Sequence, residues 1–314
     1  MDVIVINGGR KLHGSVATSG SKNAALPLLF ATLLAEGEHH FENVPRLNDI
    51  DSTELLLNHL NCTTHRSGHQ MTVNVKRPGE LVAPYDIVRK MRASILCLGP
   101  LLARYGRVKV SLPGGCAIGS RPINLHIEPL QQLGAQIEIE NGYVIAEAER
   151  LVGDRIVFDF ATVGGTENIM MAATLCQGTT VLENVAKEPE IVDLACFLRA
   201  MGANIEGEGT SVITIEGVDE LKPARHTVIP DRIEAGTLLL AAAITGGDVK
   251  VRLARSNGQA LVSVIDNGPG IKQKDLPRVF EKFYRARSEL DDIPGTGLGL
   301  AIVKTIAEHH RGQV

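Results

Sequence analysis

The chain contains no tryptophan, and its aromatic residues amount to 4% of 314. That scarcity removes the stacking platforms on which single-stranded nucleic acid is held. Nor is there a basic run: 32 lysines and arginines stand against 36 aspartates and glutamates, a net charge of −4, which argues against a nucleic-acid surface. The five cysteines (Cys62, Cys97, Cys116, Cys176, Cys196) are odd in number and none lies in C-x-x-C spacing. They read as free thiols of a reducing cytoplasm, neither a disulfide framework nor a metal site. The longest apolar stretch, around Ala24 to Ala35, is too short to span a membrane and carries Pro27. The first ten residues, M-D-V-I-V-I-N-G-G-R, read as a short strand and not as a signal peptide. What remains is a soluble cytoplasmic protein, with neither nucleic acid nor membrane as partner, long enough for two domains and a sizeable core.

What the chain does have is a repeat. A-T-L-L-A-E-G-E-H-H-F-E-N-V begins at Ala31, and A-T-L-C-Q-G-T-T-V-L-E-N-V begins at Ala173. The first copy closes on Leu60, Asn61 and Cys62, and the later one on Met201, Gly202 and Ala203. A more divergent copy between them closes on Leu133, Gly134 and Ala135. A fourth copy opens with A-A-I-T-G-G-D-V at Ala242, but where its closing triplet should fall the text reads D-N-G-P-G-I. Each copy has one grammar: a polar small-residue turn, an apolar helix, a strand ending in E-N-V, an amphipathic helix, a tight turn and a strand pair. In the third copy these run Gly165–Leu175, Thr179–Val185, Glu190–Met201 and Asn204–Glu216. Ile191, Leu194, Ala195, Leu198 and Met201 recur at helical spacing, and Gly202 suits a helix C-cap with positive φ. Units of this size cannot each close a core, so three should pack into one lobe of α/β (α+β) class.

The polar openings of the first helices are candidate phosphate sites, because free N–H groups and the helix dipole both favour an anion there. Ser21, Lys22 and Asn23 are expected to match Thr166, Glu167 and Asn168 in the third copy, and Asp231, Arg232 and Glu234 in the fourth.

S-G-S-K-N-A-A-L-P, M-R-A-S-I, L-P-G-G-C-A-I-G-S-R-P-I-N-L-H, T-V-G-G-T-E-N-I-M and P-D-R-I-E-A-G-T occur in this order over about the first 250 residues. Together they resemble the UDP-N-acetylglucosamine enolpyruvyl transferases. The resemblance implies an inside-out α/β barrel lobe over residues 20–230, with 1–19 and 231–250 belonging to a second lobe whose remainder is not encoded. It implies transfer of the enolpyruvyl group of phosphoenolpyruvate to the 3-hydroxyl of UDP-N-acetylglucosamine, a peptidoglycan precursor step, with release of phosphate and no cofactor. By motif, Lys22 and Asn23 contact phosphoenolpyruvate, and Arg92 and Arg121 supply cations. Arg121, Pro122, Ile123, Asn124 and Leu125, with the turn Thr162, Val163 and Gly164, hold the nucleotide sugar. Cys116 is the acid that protonates the enol carbon, on a loop that Gly114 and Gly115 let close. A thiol near arginines is activated, and a phosphate beside a carboxylate needs several cations. In the family the second lobe adds an aspartate base and further arginines, so the reading expects impaired turnover.

Outside their motifs the same residues read blandly. Cys116 alone is a small buried hydrophobe, Lys22 a solvated lysine and Arg92 a helix-face charge. His39 and His40 read as an exposed turn without a metal role, and Glu190 and Asp193 as a solvated helix face.

From Val251 the sequence changes: D-N-G-P-G-I, then F-E-K-F-Y, then G-T-G-L-G-L. Residues 251–314 resemble the C-terminal part of a sensor histidine kinase ATP-binding domain, a partial ATPase-type α/β sandwich. Asp266 would then bind the adenine amino group, Gly268 and Gly270 would admit the nucleotide, and Gly295, Gly297 and Gly299 would precede a phosphate-facing helix. The helix bearing the magnesium-ligating asparagine and the phosphoacceptor helix have no counterpart, so ATP binding is not expected to survive. The alternatives to an enolpyruvyl transferase are therefore an ATP-binding signalling module or a chimera of two truncated genes. No linker separates the two parts, which favours a seam between cut domains.

Overall fold

The computed structural model describes residues 16–77, 79–112, 123–244, 253–256, 259–262, 273, 275–278 and 281. The chain divides into two compact units, Ser19–Pro230 and the pair Met1–Thr18 with Asp231–Val314.

The larger unit is built from three copies of one element string. The first holds α1 (Lys22–Ala31), β1 (Gly37–Glu42), α2 (Asn48–His59), β2 (Cys62–Ser67) and β3 (Gln70–Val75). The short β4 (Val82–Ala83) and α3 (Tyr85–Val88) lead through a 3-10 turn, Arg92–Cys97, into the second copy. That copy holds α4 (Leu98–Tyr105), β5 (Arg107–Ser111), α5 (Asn124–Gln132), β6 (Gln136–Glu140) and β7 (Tyr143–Glu147). The third begins with β8 (Arg155–Val157) and runs through α6 (Val163–Ala173), β9 (Thr179–Glu183), α7 (Pro189–Met201), β10 (Asn204–Glu206) and β11 (Val212–Glu216). The unit ends with β12 (Arg225–Thr227).

The repeat turns are where the sequence and the backbone agree most closely. Asn61, Gly134 and Gly202, the middle residues of the three closing triplets, have φ of 66°, 99° and 110°. A left-handed residue ends each second helix and turns the chain into its hairpin, a conformation that glycine and asparagine adopt at least cost. The E-N-V asparagines do likewise, Asn43 with φ 58° and Asn184 with φ 55°. Each spends its side-chain amide on a neighbouring strand's exit: Asn43 Nδ2 donates to Val228 O at 2.9 Å and Asn184 Nδ2 to Phe158 O at 2.8 Å.

Each copy makes a four-stranded sheet of the same order: β12-β1-β3-β2, β4-β5-β7-β6 and β8-β9-β11-β10. The outer strand is parallel to its neighbour and the rest are antiparallel. In copies two and three the parallel strand comes before the first helix of its copy in sequence; in copy one it is β12, from the far end of the unit. The unit therefore closes on itself. Ser21 N–H donates to Ile229 O at 2.7 Å, and His226 Nε2 meets Asp193 Oδ1 on α7 at 2.8 Å.

The first helix of each copy is apolar on most sides and lies inside: Ala24–Ala31 of α1 and Gly165–Ala173 of α6 are all buried. The sheets carry the alternation of one buried and one wet face, as in β3. Among the described residues the three sheets remain separate and do not form a closed barrel. The helix face expected to be solvated is interior: Glu190 is 1% and Asp193 5% exposed, the latter held by His226 and the Ile229 N–H. His39 is likewise buried within β1, because strand alternation turns it inward while His40 faces out.

In the smaller unit, α8 (Arg232–Ile244) opens at Asp231, whose Oδ1 accepts from the N–H groups of Ile233 (2.8 Å) and Glu234 (3.0 Å). Unlike α1 and α6 it leaves Leu238, Leu239 and Leu240 exposed. β13 (Leu253–Ser256) and β14 (Gln259–Val262) form an antiparallel pair.

Candidate active site

The central helices of the larger unit run in parallel. Leu34 and Ala35 beyond α1, Tyr105 and Gly106 at the end of α4 and Leu175 beyond α6 line one cavity of about 850 Å³, so the C-terminal ends converge. At the other ends, the second turn of α6 meets the first turn of α4, where Gly99 N–H donates to Asn168 Oδ1 at 2.8 Å. The N-termini of three helices therefore share the opposite pole, and their dipoles add there in favour of an anion.

Every described residue that the enolpyruvyl-transferase motifs assigned to substrate contact lies on the first turn or cap of an element at that pole. Lys22 and Asn23 open α1, which is capped by Ser21 Oγ accepting from Ala24 N–H at 3.3 Å. Lys22 Nζ is paired with Asp49 Oδ2, at the start of α2, at 3.0 Å. Arg92 opens the 3-10 turn, against which α1 packs. Ile123 caps α5, and Asn124 and Leu125 are its first residues. Thr162 caps α6 with its hydroxyl on Gly165 N–H at 3.3 Å, and Val163 and Gly164 follow.

Two of these groups are brought together directly. A methyl group on Gly165 would come within 3.1 Å of Leu125 O, and one on Gly164 within 3.4 Å of His126 Cε1, so the start of α6 packs closely on the backbone of Leu125 and the ring of His126 at the start of α5. Cys116, Arg121 and Pro122 lie outside the described residues, as do Asp266, Gly268, Gly270, Gly295, Gly297 and Gly299.

The third-copy match to Ser21 needs correction. The cap of α6 is Thr162, so Ser21 corresponds to Thr162, and Thr166, Glu167 and Asn168 lie a turn deeper and buried. One group of this deeper layer, His126, was not singled out from sequence, whereas Glu167 was read there as part of a helix opening. His126 is 6% exposed, and its Nδ1 lies 3.0 Å from Asn168 Nδ2. Burial, with the positive field of Arg92 second, lowers its pKa to about 4, so the ring is neutral. Its signal was the closing H of N-L-H. Glu167 is 4% exposed with Oε1 unpartnered, and burial, then the carboxylates of Glu190 and Glu188, push it well above the usual carboxyl range. Among the described residues no cluster of three or more His, Cys, Asp or Glu is placed to hold a metal ion, and no helix is long and apolar enough to cross a membrane.

The profile of the EPSP synthase (3-phosphoshikimate 1-carboxyvinyltransferase) family matches residues 6–280. The chain belongs to the EPSP synthase family. Among its relatives, UDP-N-acetylglucosamine 1-carboxyvinyltransferase of Bdellovibrio bacteriovorus is 61% identical over 248 residues, covering 79% of this chain and 60% of the relative. The protein of that description from Geobacter metallireducens is 57% identical over 251 residues, covering 80% and 60%. The chain thus spans about 60% of the length of the curated relatives it matches. Of solved structures, the enolpyruvyl transferase NikO from Streptomyces tendae superposes with TM-score 0.71 at 22% identity, over 83% of this chain and 67% of that one. EPSP synthase from Acinetobacter baumannii gives 0.67 at 18% identity, over 97% and 72%. At such identities the superpositions establish the enolpyruvyl transferase fold, of mixed α/β content. The family profile runs to residue 280, past Val251.

Proposed function

We propose that this chain holds UDP-N-acetylglucosamine and phosphoenolpyruvate at the N-terminal pole of α1, α4 and α6, and serves enolpyruvyl transfer between them. The observation that carries this reading is the close packing of the starts of α5 and α6, residues 123–125 and 162–164, beside Arg92 and a neutral His126. A nucleotide sugar needs backbone and uncharged donors for its base and sugar together with cations for its diphosphate, and this pole offers both. Lys22 and Asn23, on the neighbouring N-terminus, take the phosphate of phosphoenolpyruvate. In the transfer the sugar 3-oxygen bonds to C2 of phosphoenolpyruvate while Cys116 protonates C3. The C2–O bond to phosphate then breaks and C3 gives up a proton, restoring the double bond. Cations about the departing phosphate stabilise the charge that develops on it. The reading assigns this chain binding, phosphate stabilisation and the C3 proton; it assigns no base for the sugar hydroxyl. The four described cysteines are free thiols, which supports a reducing, cytoplasmic setting.

Calorimetric titration with UDP-N-acetylglucosamine tests the reading. Saturable binding that weakens at least about tenfold in Arg92→Ala is expected, the cost of a lost charged hydrogen bond. No heat from folded wild-type protein removes the proposal.

A further inference from the structure

The buried amide of Asn168 has its orientation fixed by its neighbours. Gly99 N–H can only donate, so the atom it meets at 2.8 Å is the amide oxygen. The other end is therefore the NH2 group, which faces Ile95 O at 3.4 Å and His126 Nδ1 at 3.0 Å. A donor facing Nδ1 requires that Nδ1 carry a lone pair, which leaves the single ring proton of a neutral imidazole on Nε2. The Cε1–Nε2 edge lies against the α6 cap: a methyl on Gly164 would sit 3.4 Å from Cε1 and 3.8 Å from Nε2. Asn168 is itself fully buried, although its position on an apolar helix would be filled more simply by a hydrophobe. Around the ring, α4 presents Gly99 and α6 presents Gly164 and Asn168, none of them charged. Arg92, from the 3-10 turn, is the charged group whose field reaches it, and Glu128 on α5 itself is exposed.

We propose that Asn168 is a positioning residue that locks His126 as the Nε2–H tautomer, so that the ring offers an uncharged donor to an oxygen of the nucleotide sugar seated on the cap at residues 162–164. The identity of that acceptor rests on the proposed function; the tautomer does not. A neutral donor keeps its hydrogen bond through the physiological pH range, whereas a titrating imidazole would present a different face to the ligand on either side of its pKa.

Long-range 1H–15N correlation of the full 15N-labelled chain reads the tautomer. Wild-type His126 should show an unprotonated Nδ1 and a protonated Nε2 from pH 5.5 to 8.5. Asn168→Asp keeps the acceptor for Gly99 N–H but replaces the donor to Nδ1 with a carboxylate. Its His126 should be cationic at pH 6 and keep its proton on Nδ1 at pH 8.5. Titration with UDP-N-acetylglucosamine should then give a wild-type Kd constant within about twofold between pH 6 and 8.5. In Asn168→Asp the affinity should fall about tenfold over that range, as Nε2 turns from donor to acceptor. His126→Asn, whose amide reaches only the Nδ1 position, should bind about tenfold more weakly than wild type, and it decides the donor role if Asn168→Asp does not fold. A protonated Nδ1 in the wild type overturns the proposal, and so does ligand affinity indifferent to both substitutions. Absence of any wild-type binding alongside the expected tautomer would instead refute the proposed function and the acceptor while leaving the lock in place.

Discussion

Acid should unfold this protein partly through His39. The ring is wholly buried in β1, tilted against Phe197 with centroids 6.0 Å apart, and both nitrogens are committed. Nδ1 accepts from Ala224 N–H at 3.4 Å, which leaves Nε2–H for Ala35 O at 3.4 Å. A second proton would land on Nδ1, break the tie to the segment leading into β12, and bury an unpaired charge. Burial lowers the pKa from 6.5 to about 4; the Ala35 bond opposes that shift, and the fields of Arg104 and His40 assist it. Because the folded pKa lies below the unfolded one, the unfolded chain takes the proton first. Stability contributed by neutral His39 is complete above pH 6.5 and is lost as the pH falls from 6.5 to 4. At pH 5 the loss is about 2 kcal/mol, from about 1.4 kcal/mol per pH unit below 6.5. Urea denaturation at pH 7 and pH 5 measures it. The stability that wild type loses between the two should exceed the loss in His39→Gln by about 2 kcal/mol. Equal losses in the two proteins would refute the reasoning, whatever their absolute stabilities.

Glu167 acts with the opposite sign. Its folded pKa is raised, so its contribution is intact at low pH and is lost as pH rises above 4.5. Glu167→Gln should therefore raise the Tm at pH 7.5, by about 2 °C or more, with the gain vanishing near pH 4.5 in a differential scan. Gly99→Ala would place a methyl 2.5 Å from both Asn168 O and Oδ1 and should cost about 1–3 kcal/mol by denaturation. Among Cys62, Cys97, Cys176 and Cys196, the first three are buried with thiols pushed up to about 12, and the last is exposed. Under native conditions a thiol reagent should label Cys196 within minutes and the other three only on unfolding, as peptide mapping would read.

How much could be read beforehand depends on whether the signal was local. The three closing triplets demand a left-handed residue within one turn, and Asn61, Gly134 and Gly202 supply it at the expected places. The periodicity from Ile191 to Met201 is carried by one helix face, and all five residues are buried. Errors came where polarity was satisfied from a distance. T-E-N in the third copy looks like a cap because it is polar, yet Thr166 Oγ1 spends its bonds on Thr162 O and Ala186 N, and Asn168 on Gly99, Ile95 and His126. Asp193 reads as solvated until His226, 33 residues later, comes back on β12 to meet it. The use of β12 to complete the first sheet has no sequence signature, because a parallel strand of three residues is set by the closure of the whole unit.

The most direct test of the account is hydrogen–deuterium exchange of the full chain with and without UDP-N-acetylglucosamine. The account predicts slowed exchange confined to amides at 123–126 and 162–166, with the opposite pole at Tyr105, Gly106 and Val218 unchanged. Saturating nucleotide sugar that protects the opposite pole, or protects nothing, would contradict it.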